Sequence, residues 1–145
     1  METFFELRSG KIEKGTLESA AWDLFNAGPD LIIPPICKDS GSIRGCPTGV
    51  KTAFSPNLRA VIMGKSGLGL KGLAILGGLI DSDYRGEWVV ICCNLGEVDL
   101  VIRSGEKVAQ FILEVIPAIP MIQGGDSIVS VKSEARIGGF GSTGK

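Results

Sequence analysis

Leu73-Ala74-Ile75-Leu76-Gly77-Gly78-Leu79-Ile80-Asp81-Ser82-Asp83-Tyr84-Arg85-Gly86-Glu87 is the stretch on which the fold turns. Two short apolar runs parted by a glycine pair predict a β-hairpin from Leu73 to Ile80. The hairpin delivers an acid, Asp81, and the only tyrosine of the chain, Tyr84, into one loop. The flanks repeat the rhythm. Runs rich in β-branched and aromatic residues at Thr3 to Leu7, Leu31 to Pro34, Leu58 to Met63, Trp88 to Asn94, Val98 to Ile102, Val108 to Val115 and Ser127 to Val131 are separated by turn residues, and 21 glycines and seven prolines supply the punctuation. This pattern predicts an all-β protein, a distorted barrel or jelly roll. Two segments read as helical. Leu17 to Phe25 has amphipathic spacing, and Ser66, a good N-cap, opens a turn or two limited by Gly67, Gly69 and Gly72.

At 145 residues the chain is predicted to be one domain, long enough for a core without staples. Fifteen basic against sixteen acidic residues leave a net charge of −1, which offers no field for nucleic acid or an anionic membrane. No apolar run reaches a membrane span and the first residues lack a basic signal region, so the expected location is cytoplasmic, or the host cell interior if the protein is viral. Cys37, Cys46, Cys92 and Cys93 match no zinc spacing and read as reduced structural thiols. With no histidine in the chain, Ser-His-Asp and Cys-His catalysis are excluded, and any general base is expected to be a carboxylate.

The C-terminal Arg136-Ile137-Gly138-Gly139-Phe140-Gly141-Ser142-Thr143-Gly144-Lys145 satisfies G-x-x-x-x-G-K from Gly139, but no Ser/Thr and no helix follow it. A P-loop depends on that helix, so the match is set aside. What remains is a glycine-rich segment with hydroxyl and cationic donors suited to phosphate.

Five segments in order resemble the motifs of the trimeric dUTPase family: Ser19-Ala20-Ala21-Trp22-Asp23-Leu24, Gly64-Lys65-Ser66-Gly67-Leu68, Gly78 to Gly86, Gly105-Glu106-Lys107-Val108-Ala109-Gln110, and Gly138 to Gly144. The resemblance implies hydrolysis of dUTP to dUMP and pyrophosphate, which limits uracil in DNA and supplies dUMP for dTMP synthesis. It implies that Asp81 orients the water attacking the α-phosphorus and takes its proton. Tyr84 would lie against the deoxyribose and exclude a 2′-hydroxyl, while backbone about Gly78 and Ile80 would read the uracil edge. Lys65, Ser66, Gly67 and Gln110 would serve the phosphates. Arg136, Phe140, Gly141 and Ser142 would close over them, with residues 138–145 acting as a mobile arm.

The resemblance further implies Mg²⁺ carried by the substrate phosphates, with Asp23 near it through water and no direct protein ligand. It implies a homotrimer with sites shared between subunits. Lys65-Ser66 and Lys107 stand where arginine is usual, as in some retroviral members, and the spacing from Arg136 to Phe140 is one residue short. Lys132 or Lys145 could take the place of Arg136. Two other readings are a non-catalytic protein of the same fold that binds a partner, and a nucleotide deaminase; the set Asp81, Tyr84 and Phe140 favours the hydrolase over both.

Overall fold

Twelve short strands and one turn of helix organise the described residues, 3–38 and 42–120, in a computed structural model of the chain. The strands are β1 (Phe5–Ser9), β2 (Ile12–Lys14), β3 (Trp22–Phe25), β4 (Leu31–Ile33), β5 (Ile43–Pro47), β6 (Lys51–Phe54), β7 (Leu58–Met63), β8 (Leu73–Leu76), β9 (Leu79–Ile80), β10 (Val89–Asn94), β11 (Leu100–Ile102) and β12 (Lys107–Val115), and the helix is α1 (Ser66–Gly69). They form four antiparallel sheets: β1-β6, β5-β10-β8, β11-β4, and the five-stranded β2-β3-β12-β7-β9. All-β with one short helix is therefore the observed class.

One apolar core draws on every sheet. Leu24, Val108 and Phe111 come from the five-stranded sheet, Cys46, Val90 and Cys92 from the three-stranded one, and Ile33, Ile102 and Phe54 from the two pairs. At its centre Phe111 meets Trp88 edge-on at 4.9 Å and stacks with Trp22 and Phe5 at 5.5 and 5.9 Å, arrangements that satisfy the ring quadrupoles as well as bury area. Strand β12 owes its nine-residue length to this position, with β3 on one side and β7 on the other.

The strand expectations at Leu58–Met63 and Leu73–Leu76 match the observed bounds, and those at Phe5, Leu31, Val89, Leu100 and Lys107 hold to within two residues at each end. Three expectations need correction. Leu17 to Phe25 is not a helix: Thr16 and Ser19 close a local turn, with Ser19 Oγ accepting the Thr16 N–H at 2.9 Å, and Trp22–Phe25 then pairs with β12. Leu17 is left 97 % exposed, so the apolar spacing had no face to bury. Leu73 to Ile80 is not a hairpin either. Strand β8 pairs with β10 whereas β9 pairs with β7, and Gly77 and Gly78, at φ +64° and +99°, carry the chain from one sheet to the next. The expected strand at Ser127 to Val131 lies outside the described residues.

The third correction concerns a cap. Ser66 is the first residue of α1, and the cap is Lys65, in extended conformation and without a side-chain hydrogen bond.

Candidate functional site

Register in the five-stranded sheet assembles the first cluster. Asp23 on β3 stands opposite Gln110 on β12, and Gln110 stands opposite Met63 on β7, so three sequence-distant residues share a row across the sheet. Directly opposed side chains point to one face. Lys65 follows two residues beyond Met63 and pairs with Asp23 Oδ1. Lys107, at the other end of the β12 bulge, reaches Asp23 Oδ2 at 2.8 Å.

Asp23 is thus a buried carboxylate, 5 % exposed, with an ammonium on each oxygen. Burial alone would raise its pKa, but the hydrogen bonds from Lys107 and Lys65 outweigh that and hold the carboxyl below the usual carboxylate range. The same bond raises the pKa of Lys107. Gln110 spends one amide hydrogen on the Gly64 carbonyl at 2.9 Å and keeps the other. Lys65, Ser66, Gly67, Leu68, Lys107 and Gln110 line a hollow of about 220 Å³. Leu68 packs against the core and anchors α1, leaving Ser66 and Gly67 exposed at the rim. Lys107 also lines this hollow, and its signal in the sequence is its position in the fourth motif.

A second hollow, of about 280 Å³, is lined by Leu79, Ile80, Asp81, Tyr84, Glu87, Val89 and Ile91. Its apolar wall comes from the outward side chains of β10 and from β9, and its polar rim from the loop after β9. A turn joins the two expected residues of that loop, with the Tyr84 N–H donating to the Asp81 carbonyl at 3.1 Å. Asp81 is exposed, as a group that must meet solvent or substrate would be. Gly78 is fixed by its own backbone: its carbonyl accepts from Ile62 N–H at 2.8 Å, and an added Cβ would come 2.7 Å from the Ile62 oxygen.

Lys65, Ser66, Gly67 and Gln110 are therefore gathered at one hollow, and Ile80, Asp81 and Tyr84 at another. Arg136, Phe140, Gly141, Ser142 and the segment 138–145 lie outside the described residues, as do Lys132 and Lys145. Among the described residues no group of three or more His, Cys, Asp or Glu could hold a metal ion, and no helix is long and apolar enough to cross a membrane. Cys46, Cys92 and Cys93 are buried free thiols as expected, whereas Cys37 is exposed.

Both hollows sit on an all-β frame, and the dUTPase family model matches residues 9–144. The chain belongs to the dUTPase family. A deoxyuridine 5′-triphosphate nucleotidohydrolase of Hahella chejuensis is 40 % identical over 128 residues, covering 82 % of this chain and 81 % of that one. The native EIAV dUTPase structure superposes with a TM-score of 0.72 at 31 % identity, over 85 % of this chain and 98 % of that one. A mutant dUTPase from phage phi11 of S. aureus, described as revealing the coordination of a structural Mg(II) ion, shares the fold with a TM-score of 0.71 at 19 % identity, over 86 % of this chain and 98 % of that one.

Proposed function

We propose that this dUTPase hydrolyses dUTP to dUMP and pyrophosphate in sites that three copies of the chain build together. The carrying observation is a register. Strand β9 runs antiparallel to β7 with Ile80 opposite Ala60, so continuing the register puts Asp81 opposite position 59. Lys65 lies two residues beyond the far end of β7, so at about 3.3 Å per residue the two are roughly 20 Å apart in the strand direction. A carboxylate that activates water for attack on the α-phosphorus and the groups that bind the phosphates cannot serve one nucleotide at that separation. In this proposal a second copy brings its Asp81 loop to the first copy's Lys65 hollow, and the number of copies, three, is what the family resemblance implies.

Within such a site each residue has a task that its surroundings suit. Asp81, exposed and acidic in a chain without histidine, orients the water and accepts its proton. Lys65 and Lys107, held by Asp23, present two positive charges and Gln110 a free amide hydrogen to the developing phosphate charge. Ser66 adds a hydroxyl. Gly67 has open space around it, with nothing within 4 Å of an added Cβ, which leaves its backbone approachable by a phosphate oxygen. The apolar wall of the second hollow receives uracil, the backbone about Gly78 and Ile80 reads its edge, and Tyr84 faces the sugar. Arg136 and Phe140, with Gly141 and Ser142, complete the closing arm.

Asp23 does not fit a metal ligand, because both of its oxygens are engaged by ammonium groups. Mg²⁺ belongs instead to the substrate, as the counter-ion of its phosphates. The reaction limits uracil entry into DNA and yields dUMP for dTMP synthesis.

The test is pyrophosphate release from dUTP beside dTTP, dCTP and UTP, with light scattering on the same sample. A strong preference for dUTP and a mass near three times the 15.2 kDa of one chain are expected. Full activity in a monomer would overturn the shared site.

A further inference from the structure

We infer that Glu87 is a positioning residue for sugar selection, acting through Tyr84 rather than on the nucleotide; the inference rests on the dUTPase reading above, in which Tyr84 faces the deoxyribose. A ring can refuse a 2′-hydroxyl only if it cannot step aside. Tyr84 is 44 % exposed, so packing alone does not hold it. Its hydroxyl donates to the Glu87 carbonyl at 3.0 Å, and its ring lies over Gly86, where an added Cβ would come 2.5 Å from Tyr84 Cζ. The acceptor is itself anchored twice. Glu87 Oε1 accepts the Gly49 N–H at 2.6 Å, a charge-assisted bond between a half-buried carboxylate and the turn that joins β5 to β6. The next residue, Trp88, is fully buried, donates its N–H to Val50 O and accepts from Thr48 Oγ1 at 2.6 Å.

Gly49 has its own restraint, since its carbonyl accepts from Ser9 Oγ at 2.8 Å. Tyr84 is thereby tied through Glu87 to β1, to the β5–β6 turn and to the core. On the other side of the loop Arg85 Nη1 donates to Ser82 O at 2.7 Å. Without the Glu87 carboxylate, the carbonyl holding Tyr84 would keep only the Trp88 anchor, and the ring would yield to a ribose at smaller cost.

The experiment measures kcat and KM for dUTP and UTP in the full chain, as wild type and as Glu87→Ala, Glu87→Gln, Tyr84→Ala and the Tyr84→Ala/Glu87→Ala double variant, with melting temperatures alongside. Glu87→Ala is expected to cut the preference for dUTP over UTP by about tenfold, chiefly through better use of UTP. Glu87→Gln should keep most of the preference, because the amide oxygen still accepts from Gly49. In the Tyr84→Ala background the second substitution should change the preference by less than about twofold, since there is no ring left to hold. Gly86→Ala displaces the ring without touching the Gly49 anchor and is the control for a lost ring position, while Ser9→Ala releases the Gly49 carbonyl with Glu87 in place and should lower the preference in the same direction, so the idea stays testable if Glu87→Ala folds poorly. Unchanged preference in Glu87→Ala, or an equal drop in both Tyr84 backgrounds, would overturn it. Failure of the wild type to release pyrophosphate from dUTP would instead remove the activity reading on which it rests.

Discussion

At the scale of single residues, the chain divides its carboxylates between two tasks by environment. Asp23 is buried between two ammonium groups and serves as a fixed counter-charge, while Asp81 is exposed at a turn, where the proposed site makes it the base. Replacing Asp81 by Asn keeps size and hydrogen bonding but removes the base. Turnover of dUTP should therefore fall about 10²-fold or more with KM little changed, because the loss is felt in the transition state. Steady-state kinetics decide it: near wild-type kcat in Asp81→Asn would remove Asp81 from its role. The place of Asp81 in a loop just after an apolar run was legible. The pairing of Asp23 with Lys65 and Lys107 was not, since it follows from a register between β3 and β12 that no local pattern announces.

Elements tell a similar story about what local sequence can carry. Strands buried on alternate faces, such as β7 with its alternating buried and half-exposed side chains, were readable from composition alone. The short polar strands β2, β5 and β6 were not, because Ile12–Lys14, Ile43–Pro47 and Lys51–Phe54 depend on partners rather than on their own apolar content. Glycines show the same division. Gly78 has φ +99° and an added Cβ would press on the Ile62 carbonyl, so Gly78→Ala should cost roughly 2 kcal/mol or more in stability. Gly67 in α1 has room for a methyl group and its change to Ala should leave stability within about 0.5 kcal/mol, or improve it, while lowering activity if the proposed phosphate contact is made there. Thermal denaturation and pyrophosphate release on both variants separate the two; equal melting temperatures would contradict the structural division.

For the molecule as a whole, titration bounds the pH range of the fold from both sides. The folded pKa of Asp23 lies below its ordinary 3.8, so its stabilisation is present above about that value and is lost as pH falls through the lower folded one. Burial pushes the Cys46 thiol up to about 11, and burial with the nearby Cys46 pushes Cys92 up to about 12. Their contribution is complete below the unfolded value of 9.0 and fades as pH rises from there through about 11 to 12, because the unfolded thiols ionise first. Melting temperature should hold a plateau between these limits. Cys92→Ala should flatten the alkaline decline even while costing stability at neutral pH, and a decline of undiminished slope would sink the assignment to Cys92.

The separation of Asp81 from Lys65 along β7 has a genetic meaning if the sites are shared as proposed. A gene copy damaged at Asp81 and another damaged at Lys65 each encode a chain that forms no working site with itself. Expressed in one cell, they can meet so that the intact loop of one lies over the intact hollow of the other. Two null alleles of this single-polypeptide enzyme would then complement each other, with some sites in the mixed population restored and the rest inactive. Allelism tests that assume one gene, one defect would misread such a pair as lesions in different genes.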